Sequence, residues 1–135
     1  MNFAFDAKQG LIIVQAELFG PSGGALVRLA LDTGATSTMI NVGHLVAIGH
    51  DPALVPDRIQ VTTGSGMEYV PRLQLTRFRA LGQERVSFPI LSHTLPPSAG
   101  IDGLLGLDFL RGQRLEIDFF LFSALIRVPC LSHFS

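Results

Sequence analysis

The strongest constraint on the fold is the way the apolar residues are cut up. Hydrophobic residues make up 47% of the 135 positions. They come in short runs, broken every few residues by Gly, Pro or polar side chains. No run approaches the about 20 apolar residues that span a bilayer. Runs this short suit strands buried in a sheet better than long helices. Residues 11–18 read as a strand, Gly20-Pro21-Ser22-Gly23-Gly24 as the turn after it, and residues 25–31 as its hairpin partner, with Val27, Leu29 and Leu31 on one face. Residues 58–63 and 68–75 flank a turn at Gly64-Ser65-Gly66, and residues 78–81 and 85–90 flank Gly82-Gln83. Residues 115–119 and 125–128 finish the chain as strands. Helix is expected in two places. One starts at Asn41, a capping residue, and runs to about Ile48 before Gly49. The other covers residues 104–110, where Leu and Phe recur at helical spacing. The pattern predicts a single, mainly β domain, a closed barrel-like sheet with one or two short helices. A chain of this length buries about two-thirds of its unfolded surface.

Composition excludes several functions. Ten basic and eleven acidic residues leave a net charge of −1. Lysine occurs once, at Lys8, and no basic stripe appears, so no nucleic-acid partner is expected. The arginines between Arg72 and Arg85 are spaced like the solvent faces of strands. Cys130 is the only cysteine, so no internal disulfide is expected. The opening MNFAFDAKQG lacks the basic segment, apolar stretch and cleavage site of a signal peptide, and the expected location is cytoplasmic, with no membrane segment. His44, His50, His93 and His133 show no metal-ligand spacing and read as packed or solvated; no metal and no cofactor are expected. Ser65 lacks a nucleophile-elbow context, and Gly100, Gly103 and Gly106 do not form a dinucleotide fingerprint.

Residues 29–40, LALDTGATSTMI, carry the chemistry. An apolar strand runs into Asp32-Thr33-Gly34 and then into small and hydroxyl-bearing residues. Such a strand end delivers a carboxylate on a tight turn. Gly34 allows a close backbone approach and unusual dihedrals, and Thr33 offers a hydroxyl that can lock the turn. One carboxylate does little hydrolysis alone. Two held a few ångströms apart share a proton, because both cannot ionise together. The ionised member then takes a proton from water while the protonated member polarises a carbonyl.

Asp-Thr-Gly alone is a common turn signal. A second segment, residues 101–110, IDGLLGLDFL, changes the reading. Together the two resemble the retropepsin-like aspartic proteases. The apolar-apolar-Asp-Thr-Gly-Ala motif of that family matches residues 29–35, and its hydrophobic-hydrophobic-Gly motif matches Leu104-Leu105-Gly106. Gly106-Leu107-Asp108-Phe109-Leu110 is similar to the cellular and bacterial members, whereas retroviral enzymes usually have Arg in place of Leu107.

The resemblance implies an acid-protease barrel and an endopeptidase acting on peptide or protein substrates, with Asp32 as catalytic acid and base. Thr33 would reach across a subunit boundary, Gly34 would aim its N–H at the carboxylates, and Ala35 would complete the active loop without a hydroxyl to donate. Leu104, Leu105 and Gly106 would pack behind that loop. Thr63, Gly64, Ser65, Gly66 and Met67 would form a flap that closes over substrate. The chain holds a single Asp-Thr-Gly. Asp102 is read as the cap of a helix starting near Leu104, and Asp108 and Asp118 as structural or surface residues. The second carboxylate must then come from a two-fold homodimer, for which the apolar residues 117–128 are the candidate interface. The alternative is a dimeric peptide-binding or scaffold module that keeps the fold with weak or no turnover.

Overall fold

The structure, a computed structural model, describes residues 2–6, 10–63 and 66–127. In chain order its elements are β1 (Phe3–Ala4), β2 (Ile13–Gly20), β3 (Gly23–Leu31), β4 (Met39–Ile40), helix α1 (Val42–Ala47), β5 (Arg58–Thr63), β6 (Gly66–Ala80), β7 (Gln83–Ser92), β8 (Gly103–Leu105), helix α2 (Leu107–Leu110), β9 (Arg114–Asp118) and β10 (Ser123–Arg127). Six strands run in the order β2-β3-β8-β4-β7-β6, and β6 returns to pair with β2, closing a barrel. Closure leaves no free edge among these six strands. β5 extends beyond the barrel as the hairpin partner of the first part of β6. β1, β10 and β9 form a separate three-stranded antiparallel sheet.

Alternation at a period of two builds the core. Val14, Ala16 and Leu18 of β2 point inward, as do Val27 and Leu29 of β3 and Leu73 and Leu75 of β6, where Phe78 and Ala80 resume the alternation after the two exposed residues Thr76 and Arg77. Phe78 stacks on Phe88 at 4.9 Å between ring centroids and meets Phe109 of α2 edge-on at 5.4 Å. These rings, with Leu105 and Ile90, fill the barrel. β8 is inserted between β3 and β4, parallel to the first and antiparallel to the second. It puts the Leu104-Leu105-Gly106 segment beside the end of β3, where Asp32 begins.

The structure departs from the sequence expectations at several points. The strands expected over residues 68–75 and 78–81 are not separate; residues 66–80 form the single fifteen-residue β6. Its first part pairs with β5 and its second with β7 and β2, and the polar stretch at Thr76-Arg77 is one more solvent-facing step rather than a turn. The turn falls one residue earlier than expected, at Leu81-Gly82, both with positive φ (50° and 74°), as a two-residue hairpin loop requires. The expected helix over residues 104–110 is helical only at Leu107–Leu110, because Gly103–Leu105 is drawn into the sheet. Asp102 therefore caps no helix. Its Oδ2 accepts the Arg28 N–H at 2.8 Å, and its Oδ1 lies 2.9 Å from His44 Nε2. Asn41 does precede α1, but its side chain makes no cap bond; its Oδ1 accepts the Leu95 N–H at 3.0 Å.

Arg72, Arg77 and Arg79 lie on exposed strand faces, paired with Asp57, Glu84 and Glu17. Arg85 does not fit the solvent-face reading. It is half-buried, stands 4.6 Å over the Phe109 ring and donates to the Phe109 carbonyl at 3.2 Å. Within the C-terminal segment, Ala124 and Ile126 join the core, while Phe119, Phe120, Leu121 and Phe122 are exposed at the β9–β10 turn, Phe120 at 89%. Val128 and Cys130 lie outside the described residues. Among the described residues no helix is long and apolar enough to cross a membrane.

Candidate active site

β3 delivers Asp32 at the point where it leaves β8. Leu31 is in parallel register with Leu105, and the Asp32 N–H donates to the Leu105 carbonyl at 3.0 Å. The chain then folds back on the carboxylate. The Gly34 N–H donates to Asp32 Oδ1 at 2.8 Å, and the Ala35 N–H to the Asp32 carbonyl at 3.2 Å. A Cβ at position 34 would stand 3.1 Å from that same carboxylate oxygen. Close approach is therefore what position 34 asks of its residue. The unusual dihedrals expected there are not used, since Gly34 is not among the positive-φ glycines. Thr33 is exposed at the apex of the turn.

A second set of bonds holds the loop from behind. The Ala35 carbonyl accepts the Leu107 N–H at 2.8 Å, and the Thr36 carbonyl accepts the Asp108 N–H at 3.2 Å. Thr38 is fully buried. Its hydroxyl donates to Asp108 Oδ1 at 2.7 Å and accepts the Gly106 N–H at 3.1 Å, while its own N–H donates to Asp108 Oδ2 at 2.9 Å. Bonds to a charged acceptor are the stronger kind, and here they tie residues 35–38 to residues 106–108. Gly106 sits so close that a Cβ would lie 2.8 Å from the Ser37 carbonyl carbon and 2.9 Å from the Ala35 oxygen. Leu105, fully buried, and Gly106 thus pack directly behind the loop. The structural reading of Asp108 is the apt one. Thr38 was not singled out from the sequence, where it is the last of three successive hydroxyl residues, Thr36-Ser37-Thr38, ahead of apolar Met39 and Ile40.

In front of the loop lies an open cleft of about 590 Å³. Asp32 and residues 34–37 form one side, Met39, Leu91, His93, Leu95 and Leu104 the walls, and Ile59, Gln60, Val61 and Thr62 of β5 the opposite side. Asp32 is the only carboxylate among the described lining residues. Paired residues in an antiparallel ladder share a face, and here Val61 pairs with Glu68, Thr62 with Met67 and Thr63 with Gly66. Met67 is exposed and, like Gly66, is not among the cleft-lining residues. Gly64 and Ser65, expected at the tip, lie outside the described residues. Glu68 does not line the cleft either, but its Oε2 lies 3.9 Å from Nδ1 of His93, which does. Sequence reasoning missed these wall residues, although the alternation Ile59, Val61 was a readable signal for one of them. Among the described residues, no three His, Cys, Asp or Glu side chains come together in a metal-binding arrangement.

Comparison with known proteins agrees with this geometry. Residues 14–109 match the family model described as aspartyl protease. Of solved structures, a retropepsin-like aspartic protease from Rickettsia conorii superimposes with a TM-score of 0.64 at 17% identity, over 94% of this chain and 86% of that one. At that identity the likeness is one of fold. No curated protein matches the chain.

Proposed function

This chain belongs to the aspartyl protease family and has the retropepsin-like fold, and from that premise we propose that it is an endopeptidase working as a homodimer, with Asp32 of each subunit supplying half of a catalytic pair. The observation that carries the proposal is that, among the described residues, a cleft large enough for peptide side chains is lined by a single carboxylate, Asp32, held on its loop by the Gly34 N–H. Peptide hydrolysis by carboxylates needs two that share one proton. A two-fold axis beside the exposed Thr33 apex supplies the second without another motif in the chain.

In that arrangement the ionised Asp32 takes a proton from a water held between the subunits, and the water oxygen attacks the scissile carbonyl. The protonated Asp32 donates to the carbonyl oxygen, and the tetrahedral intermediate collapses as a proton passes to the leaving amine. The Gly34 N–H, already on Asp32 Oδ1, holds the carboxylate in place through the cycle. The β5–β6 hairpin acts as the flap that covers the bound peptide and excludes water. The exposed aromatic turn at Phe119, Phe120, Leu121 and Phe122 is the part of the C-terminal segment left for subunit contact, since Ala124 and Ile126 are already spent on the subunit's own core.

Subunit mixing tests the shared site. Wild-type chain is equilibrated with excess Asp32→Asn chain, and exchange is verified with a mass tag. Mixed dimers hold one native carboxylate, so peptidase activity is expected to fall although the amount of wild-type chain is constant. Unchanged activity after verified exchange would sink the shared-site mechanism.

A further inference from the structure

We infer that Glu68 and His93 form a charged subsite at the edge of the cleft that selects substrates carrying a basic side chain near the scissile bond. The inference rests on the peptidase reading above and adds a substrate preference to it.

The register of the hairpin decides where Glu68 points. Val70 of β6 is buried and pairs with Ile59, a cleft residue, while Tyr69 and Met67 are exposed at 68% and 65%. Alternation therefore puts Glu68 and its partner Val61 on the inward face with Val70 and Ile59. That face is otherwise apolar. A carboxylate on it has a modest reason to be there from folding: its partner is His93 at 3.9 Å, beyond hydrogen-bond length, and both side chains keep contact with solvent. His93 in turn lines the cleft, while its backbone N–H is committed to the Ile40 carbonyl at 3.0 Å.

The charge balance sets the sign of the preference. Among the described residues no Lys or Arg lines the cleft. Arg72, four residues on along β6, is exposed and bound to Asp57 at 2.8 Å. Among the described residues Asp32 is the one carboxylate in the lining, and Glu68 stands beside His93, the one lining side chain able to carry positive charge. A lysine or arginine of the substrate can take the place of His93 opposite Glu68, whereas a substrate carboxylate meets repulsion from it. In a two-fold dimer a bound peptide meets one Glu68 on each side of the scissile bond, so the preference appears on both sides.

The test uses the full chain and a peptide series with one apolar scissile pair. Each flanking position is set in turn to Lys, Gln or Glu. The same series is made with a non-cleavable hydroxyethylene at the scissile bond for binding measurements. We expect Lys to exceed Glu by about tenfold in kcat/KM at the position facing Glu68, carried mainly by KM, since partly exposed charge pairs contribute a few-fold each. Glu68→Gln should reduce that ratio to below about twofold, and His93→Gln should raise it by removing the competing partner. Equal rates for Lys and Glu peptides, or a lysine preference that survives Glu68→Gln, would overturn the inference. If no peptide is cut, it is the peptidase reading that fails, and the binding series still decides the role of Glu68 by the same ratios.

Discussion

The two sides of the cleft are built on opposite principles. On one side, residues 32–38 are held by a dense set of bonds to residues 105–108, centred on a Thr38 that solvent does not reach. On the other, the β5–β6 hairpin carries exposed Met67 and Tyr69, and its far end is tied to the wall by the 3.9 Å contact between Glu68 and His93. In the proposed mechanism the carboxylate side must hold its group to within fractions of an ångström for a shared proton to be useful. The proposed flap must let a peptide in and out, which calls for few buried contacts and a ladder hinged at one end. Rigidity and openness are thus assigned to different stretches of chain.

The sharpest way to test the assignment is Asp32→Asn. The amide keeps an oxygen for the Gly34 N–H, so the fold should persist while turnover falls by about 10³-fold or more, in the range of a lost general acid–base group. Peptidase assays paired with thermal melts check this; substantial turnover in a rigorously purified variant would refute the role of Asp32. Next in size is the buried lock. Thr38→Val leaves the Gly106 N–H without its acceptor and strips Asp108 of a charge-assisted bond. A loss of about 2–4 kcal/mol in unfolding free energy is expected, with a larger loss of activity than of secondary structure. A denaturant titration within about 0.5 kcal/mol of wild type would show that the loop needs no such anchor.

A smaller effect concerns the second tie behind the loop, where Asp102 joins the start of β8 to β3 and α1. Burial pushes this carboxyl up. The Arg28 N–H bond, the His44 hydrogen bond and the charges of His44 and Arg28 outweigh it, so it lies below its ordinary value of 3.8. A depressed carboxyl stabilises the fold at pH above its unfolded value, and that contribution fades as pH falls through the lower folded value. The stability gap between wild type and Asp102→Asn should therefore shrink as pH falls below about pH 3.8. Urea midpoints across the acid range measure it; a gap independent of pH would remove Asp102 from the acid response. The smallest effect is expected on the covering side. Met67→Ala and Tyr69→Ala should each shift stability by less than about 0.5 kcal/mol, as exposed positions do. A cost near that of Thr38→Val would erase the contrast between the two sides.

Much of this was legible in the chain, and the exceptions share a cause. Strand periodicity, the Asp32 turn and the segment behind it could be read because each depends on residues adjacent in sequence: alternation places Leu29 and Leu31, and Asp-Thr-Gly makes its own turn. The Leu104-Leu105-Gly106 segment was recognisable as packing behind the loop, but its state was not. Its spacing fits a helix equally well, and only the vacancy between β3 and β4 draws residues 103–105 into a strand. Asp102 failed as a helix cap for the same reason, since its true partners, Arg28 and His44, are 74 and 58 positions away.

The sequence by itself determined a β barrel that sets one carboxylate on a tight turn, because period-two patterning and turn chemistry are local properties. The tertiary structure alone decided what holds that turn and what faces it. The Thr38–Asp108 bonds span 70 residues and the Glu68–His93 approach joins a hairpin to a wall. Contacts of that kind leave no periodic trace, because each becomes favourable only after closure of the barrel has offset the entropy of bringing the two segments together.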